Sequence, residues 1–286
     1  MESTVNASGA MTHKLLARDT LVTAPAVYDG ITAQLVRRMG FSAAYMTGAG
    51  VAASAHGLPD IGLVTASEMT QRAAMLVDVL GDIPLIADAD TGYGSPLNVV
   101  RTVRSYERAG VAAIQLEDQA FPKRCGHLPD KELISREAFL KKLGAALDTR
   151  DRALIVARTD ARGVLGLDEA IERANAYAQA GADVIFVEAP VSRGEVERIA
   201  REVDAPLLIN LVQGGLTPDE GPQVLQQLGY ALAIHPSNPL AAVMDAAIGS
   251  LQRLGGRDPR TGSQGVAAFF DLLGLREWSA IGDKWS

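Results

Sequence analysis

A single cysteine, Cys125, is present among 286 residues, so no disulfide can form within the chain. That scarcity suits a reducing cytoplasm, the expected location, and leaves a reactive thiol open. No apolar run approaches the ~18–20 residues that a bilayer span requires, so no membrane association is expected. The stretch before Leu21 carries Glu2, His13, Lys14 and Arg18 and lacks the apolar core of a secretion signal. It reads as a short disordered start followed by a helix from about Met11. Positive charge is in deficit: 27 Lys and Arg face 34 Asp and Glu, a net charge of −7. This balance argues against a nucleic-acid partner, which demands clustered cations. A small anion is not excluded, because it responds to the local field of a cleft.

What the chain does have is apolar content, at 48 %, and a repeating order. Short β-branched runs occur at Leu21–Val27, Ala43–Gly48, Pro84–Asp90, Ala112–Asp118, Leu154–Ala161, Val184–Ala189, Pro206–Leu211 and Leu232–Pro236. Amphipathic stretches lie between them, such as Ser67–Leu80, Pro96–Ala109, Ser135–Arg150, Asp168–Ala180 and Ser192–Val203. Gly40, Gly110 and Gly181 stand where a left-handed cap would end a helix. Eight strand–helix units without a break in composition predict a closed (β/α)8 barrel in one domain, residues 1–286. The barrel would run from about 21 to 255, with a helical extension over 256–286. A doubly wound open sheet is the alternative. The absence of Gly-x-Gly-x-x-Gly after the first strand weakens its dinucleotide-binding form.

Polar residues gather at the C-terminal ends of these strands, where a barrel builds its active site. Asp88 and Asp90 lie two apart, so they face one way. Together with Glu117 on the next strand and Asp60 in a turn, they suit Mg²⁺, or Mn²⁺, as hard oxygen ligands. Taken alone, Asp88 and Asp90 would equally fit a solvated strand end or a helix cap. The loop Phe121-Pro122-Lys123-Arg124-Cys125-Gly126-His127-Leu128 runs on to about Leu133 and is long enough for a lid. Its two cations flank the thiol and would favour the thiolate. One Cys and one His cannot complete a zinc site. Gly48-Ala49-Gly50 could cradle an anion with backbone N–H groups, although a tight turn explains it equally well. Arg158, pointing into a barrel mouth, needs an anion, for which a substrate carboxylate is the natural choice. Glu188 and Asn210 position substrate or lid, or cap helices. His56 and His235 read as structural and His13 as surface.

Four segments carry a family resemblance: Asp88-Ala89-Asp90-Thr91-Gly92-Tyr93-Gly94, Glu117-Asp118-Gln119, Lys123-Arg124-Cys125-Gly126-His127 and Ala157-Arg158-Thr159-Asp160-Ala161. Together they resemble the isocitrate lyase/phosphoenolpyruvate mutase superfamily over about Leu21 to Gly255. Within it the chain looks closest to the group of 2-methylisocitrate lyase, 2,3-dimethylmalate lyase, oxaloacetate hydrolase and carboxyphosphonoenolpyruvate phosphonomutase. The resemblance implies a barrel whose last helix is exchanged between subunits of a homotetramer. It also implies Asp88 as the direct metal ligand, with Asp60, Asp90 and Glu117 acting mainly through water. Thr47, Gly48 and Ala49 would hold a carboxylate, and Arg158 and Asn210 would bind substrate oxygens. Cys125 would be the general acid on a mobile lid beside Lys123, Gly126 and His127, and Tyr45 the base.

Methylisocitrate lyases typically carry Pro-Leu-Ser-Ala after strand eight, where this chain reads His235-Pro236-Ser237-Asn238-Pro239-Leu240-Ala241. The tail Phe269-Phe270-Asp271-Leu272-Leu273-Gly274-Leu275 looks more like the dimethylmalate lyase type. The expected activity is therefore Mg²⁺-dependent cleavage of a substituted malate into a 2-oxo acid and a carboxylate. Oxaloacetate hydrolysis or decarboxylation and phosphorus–carbon chemistry on the same site are the alternatives. A barrel that only binds metabolites is disfavoured, because every acid and the thiol are present.

Overall fold

The structure, a computed structural model, describes residues 15–16, 20–128, 130–257 and 265–285. Eight parallel strands close on themselves in sequence order, β1 pairing with β8 as well as β2. They are β1 (Val22–Val27), β2 (Ala44–Met46), β3 (Leu85–Asp88), β4 (Ala113–Glu117), β5 (Leu154–Thr159), β6 (Val184–Val187), β7 (Leu207–Asn210) and β8 (Tyr230–His235). A helix follows each: α1 (Gly30–Arg38), α2 (Ala66–Leu80), α3 (Pro96–Arg108), α4 (Arg136–Thr149), α5 (Leu167–Gln179), α6 (Arg193–Glu202), α7 (Pro222–Gln227) and α8 (Leu240–Leu254). Two more helices, α9 (Gly265–Leu272) and α10 (Leu275–Trp285), complete the described chain. The fold is thus the expected (β/α)8 barrel, not the open sheet.

The helices start and stop for local reasons. Asp29 and Thr65 cap α1 and α2 in reciprocal boxes with Thr32 and Glu68, and Pro96 opens α3 at its first turn. Gly40, Gly110 and Gly181 take the left-handed conformation expected of them, at φ +76°, +88° and +105°. The first seven strands lie inside the runs expected of them, shorter by one or two residues at one end or both, and β8 is shifted toward the N-terminus. Gly48 lies outside β2, because Gly48–Val51 coils into a helical turn, and β8 begins at Tyr230, ahead of Leu232. The expected helix from Met11 lies outside the described residues apart from Leu15 and Leu16, which are helical.

Strand parity separates two cores. Residues such as Met46, Leu85, Ala87, Ile114, Leu116, Ile155 and Ile185 face outward and pack under the helices with Val99, Tyr106, Phe139 and Tyr177. The inward set, including Val22, Tyr45, Ile86, Ala113, Val156, Phe186, Leu208 and Ile234, fills the barrel interior. Continuing each inward column by two residues toward the C-terminal rim reaches Asp88 from Ile86, Glu117 from Gln115 and Arg158 from Val156. The same step reaches Glu188 from Phe186 and Asn210 from Leu208. The alternation that buries the core therefore also delivers the polar groups to one mouth.

Candidate active site

Two linked clusters occupy that mouth. The first is built on β2, β3 and the turn at Asp60. The Asp88 carboxylate accepts hydrogen bonds from the Gly48 N–H (3.3 Å, Oδ2), the Asp90 N–H (3.0 Å, Oδ1) and the Gln115 amide (3.3 Å, Oδ1). Gly48 has no room for a side chain, since a Cβ would lie 2.8 Å from Asp88 Oδ2. Asp90 adopts φ +46°, an unusual conformation for a non-glycine residue, which turns its carboxylate beside Asp88. The Lys123 ammonium reaches in from the lid loop, pairing with Asp60 and lying 2.8 Å from Asp90 Oδ1.

The second cluster surrounds Arg158, which is 7 % exposed. Its guanidinium engages Asp160 at 2.8 and 3.0 Å, Glu117 at 3.2 Å and Glu188 at 3.4 Å, and lies over the Phe186 ring. The expectation that Arg158 needs a substrate anion is modified here, because three carboxylates already face it. Asn210 donates to both Glu188 oxygens, at 3.1 and 3.3 Å. Ala189, at φ +56°, holds the chain sharply turned just after Glu188. Beneath this cluster Asp118, wholly buried, accepts from Thr159, the Asp160 N–H, Arg173 and Tyr177. It ties the ends of β4 and β5 to α5.

The loop after β4 is folded down over both clusters. An antiparallel bridge between Gln119 and Leu133 closes its base, and the Gln119 side chain pairs with the Arg124 backbone at 2.8 and 2.9 Å. Lys131 binds Asp160 at 2.9 Å and the Gly126 carbonyl. His127 Nδ1 accepts from the Leu216 N–H at 3.1 Å, so the ring is the Nε2–H tautomer, with Nε2 3.3 Å from Glu188. Burial holds its pKa below the usual histidine value. Gly126 packs so tightly on Arg158 and Glu188 that a Cβ would collide with both.

Three expectations are corrected. The cations flanking Cys125 do not make it a thiolate: Lys123, turned to Asp60 and Asp90, still favours the charged form, but burial, with Asp60 nearby, outweighs it and pushes the thiol up to about 12. Gly48-Ala49-Gly50 is no open anion cradle, because the Gly48 N–H is turned to Asp88 and the Gly50 N–H to Thr47 Oγ1. Tyr45 is a poor base, since burial, reinforced by Asp88, pushes its phenol well above its ordinary range. Parity on β4 would have revealed one residue that sequence reasoning passed over: Gln115 is fully buried and shares the face of Glu117. Asp160 and Lys131, which bracket the lid, were also unassigned.

The acids suit a divalent cation. Among the described residues no three His, Cys, Asp or Glu side chains stand close enough together to enclose an ion as they are. Yet Glu117 Oε1 is buried without a hydrogen-bond donor, and Asp90 Oδ1 meets only the Lys123 ammonium. Burial, aided by Asp88 and Asp60, pushes the Asp90 carboxyl up to about 7 despite Lys123. Burial likewise drives Glu117 well above the usual carboxylate range. Hard oxygen donors left short of positive charge are what a small divalent cation satisfies.

A closed parallel barrel with acids, an arginine and a lid thiol at its C-terminal rim is the framework of a (β/α)8 enzyme. The profile of the phosphoenolpyruvate phosphomutase family matches residues 12–254, and the chain belongs to that family, within the PEP mutase/isocitrate lyase superfamily. It is 44 % identical over 276 residues to 2,3-dimethylmalate lyase of Eubacterium barkeri, covering 94 % of this chain and 95 % of that one. With 2-methylisocitrate lyase of Aeropyrum pernix it shares 47 % over 238 residues, covering 83 % and 77 %. The solved structure of oxaloacetate acetylhydrolase with 3,3-difluorooxalacetate superimposes with a TM-score of 0.83 at 34 % identity, covering 97 % of each chain.

Proposed function

We propose that this enzyme cleaves the carbon–carbon bond of a substituted malate, such as 2,3-dimethylmalate or 2-methylisocitrate. The products would be a 2-oxo acid and a carboxylate. The observation that carries this reading is a lid closed on Arg158 and Glu188 that holds a protonated thiol, Cys125, at the acid-lined mouth. The lyases named above support it. Cleaving next to a hydroxyl creates a carbanion that an enclosed acid can quench, an acid that a purely binding site would not need.

Asp88 would hold Mg²⁺ (or Mn²⁺) directly and Asp60, Asp90 and Glu117 through water; the ion supplies polarisation of the substrate hydroxyl and its neighbouring carboxylate. Thr47, Gly48 and Ala49 border that carboxylate, with the Ala49 N–H its candidate donor. Arg158 and Asn210 bind substrate oxygens, and Glu188 orients them. The hydroxyl proton leaves toward the buried carboxylates beside Tyr45, whose neutral hydroxyl orients it. The electron pair of the breaking bond becomes an enolate-type dianion on the departing half, and Cys125 protonates its carbon. Gly126, His127, Lys123 and Lys131 hold the lid down, so bulk water does not reach the carbanion first.

A panel of 2,3-dimethylmalate, 2-methylisocitrate, isocitrate, citramalate and oxaloacetate tests this, with Mg²⁺ and a coupled dehydrogenase reading 2-oxo-acid release. Turnover of a substituted malate is expected. No 2-oxo acid from any 2-hydroxy acid would overturn the lyase reading. Hydrolysis of oxaloacetate is the second reading, favoured by the superposition with the acetylhydrolase, and it would release acetate and oxalate instead. Phosphorus NMR with phosphonopyruvate reports on mutase chemistry.

We also infer that the whole chain is one barrel domain, assembled in the cytoplasm as a homotetramer with α8 crossing between subunits. Helix α8 buries only Gly249 and leaves Val243, Leu251 and Leu254 exposed at 47, 67 and 83 %. At the start of the barrel, Ile31 and Leu35 on α1 and Met39 at its C-terminal cap form an exposed apolar row. A second copy's α8 would cover such a row.

A further inference from the structure

Gln115 stands between the two parts of the site that the proposed cleavage must coordinate. It is fully buried on β4, facing the barrel interior. One end of its amide lies 3.3 Å from Asp88 Oδ1, the other 3.2 Å from the Tyr45 hydroxyl. Which end is which follows from chemistry. Asp88 Oδ1 also accepts the Asp90 N–H and Oδ2 the Gly48 N–H. Backbone N–H groups only donate, so this side chain is an acceptor, and the Gln115 atom facing it is the amide nitrogen. The amide oxygen must then face Tyr45. That oxygen carries no hydrogen, so the Tyr45 hydroxyl donates to it.

The Tyr45 proton is thereby committed, and only oxygen lone pairs remain for anything else in the mouth. Burial keeps the phenol protonated and neutral, so the hydroxyl holds this one proton and has no other to offer. We propose that Gln115 is a specificity-determining residue: by fixing the Tyr45 hydroxyl as an acceptor, it selects substrates that present a hydroxyl over those that present an oxo oxygen. An oxo acid would set two lone-pair oxygens against each other in a buried site, whereas a 2-hydroxy acid supplies the missing donor. Cleavage turns that donor into an acceptor, so the same polarity helps release the 2-oxo product. The inference rests on the 2-hydroxy-acid reading above and adds the residue that enforces it.

Lactate and pyruvate differ only in hydroxyl against oxo, so their inhibition constants against the best substrate, with Mg²⁺ present, measure the preference directly. The parent enzyme should favour lactate. Gln115→Met, similar in length but with nothing to accept the Tyr45 proton, should lower that preference at least about tenfold, the scale of one hydrogen bond. Tyr45→Phe, which removes the hydroxyl with little change of shape, should lower it equally. The double variant should lose no more than either alone, because both act through one contact. A purely structural role for Gln115 would weaken both inhibitors together and leave their ratio intact. An unchanged ratio in Tyr45→Phe, or additive losses in the double variant, would overturn the proposal while leaving the lyase reading standing. If the parent turns over no 2-hydroxy acid at all, the lyase reading itself is what fails.

Discussion

Replacing Gly126 with alanine separates lid closure from chemistry. Gly126 is not in the left-handed region, so alanine meets no backbone strain there. The obstacle is space. The new methyl group would overlap the Arg158 guanidinium and come within 2.6 Å of Glu188 Cγ and 2.7 Å of its Cδ. Neither neighbour can step aside, since Arg158 is held by Asp160 at 2.8 Å and Glu188 by Asn210 at 3.1 Å. Overpacking of this kind costs about 1–3 kcal/mol. With a factor of ten for each ~1.4 kcal/mol, the closed lid loses about 5- to 150-fold in weight. If chemistry needs that state, kcat/KM should fall by the same factor on the best substrate. Trypsin should cut faster after Lys123, which is 4 % exposed beneath the closed loop. The melting temperature should hardly move, because the barrel core does not include the lid. An alanine variant with parental kcat/KM and parental resistance to trypsin would refute the link between closure and catalysis.

Three other outcomes are expected. Cys125→Ser should retain substrate binding and lose about 10²–10⁴-fold in kcat, as general acids do; in the parent, a thiol protonated up to about 12 should give no falling limb in the pH–rate profile below pH 10. Parental rates in the serine variant would remove the thiol from the mechanism. Chelation with EDTA should abolish turnover, Mg²⁺ or Mn²⁺ should restore it, and Asp88→Ala should not respond to either; full activity in excess chelator would count against a metal. Light scattering should give a tetramer at micromolar concentration, and a monomer would contradict the inferred exchange of α8.

The barrel was legible because two periodicities reinforce each other: alternation within strands and capped helices between them. The charged rim was legible for the same reason, since Asp88, Glu117 and Arg158 continue inward columns already apolar in Ile86, Ala113 and Val156. What adjacency in sequence misjudged was electrostatics. Lys123 sits two residues from Cys125 yet spends its charge on Asp60 and Asp90, far away in the chain. Burial then decides the thiol in the opposite direction. The Gly48-Ala49-Gly50 segment misled similarly, because the acceptors that capture its N–H groups are supplied by the fold. Gln115 was hidden among apolar neighbours in a strand, where a lone amide has meaning only once both of its partners are known.

The pairing of β1 with β8 also governs how this chain must come into being. Val22 lies against Leu232, so the first strand's second neighbour is nearly the last part of the barrel to be synthesised. Until β8 arrives, an emerging chain carries β1 with one edge bare, and contacts of such high sequence separation form slowly. An unfinished barrel of this kind is open to pairing with a sister chain. Refolding yield should therefore fall as concentration rises, and shortening the chain before Tyr230 should produce aggregates, because the ring's last strand is missing.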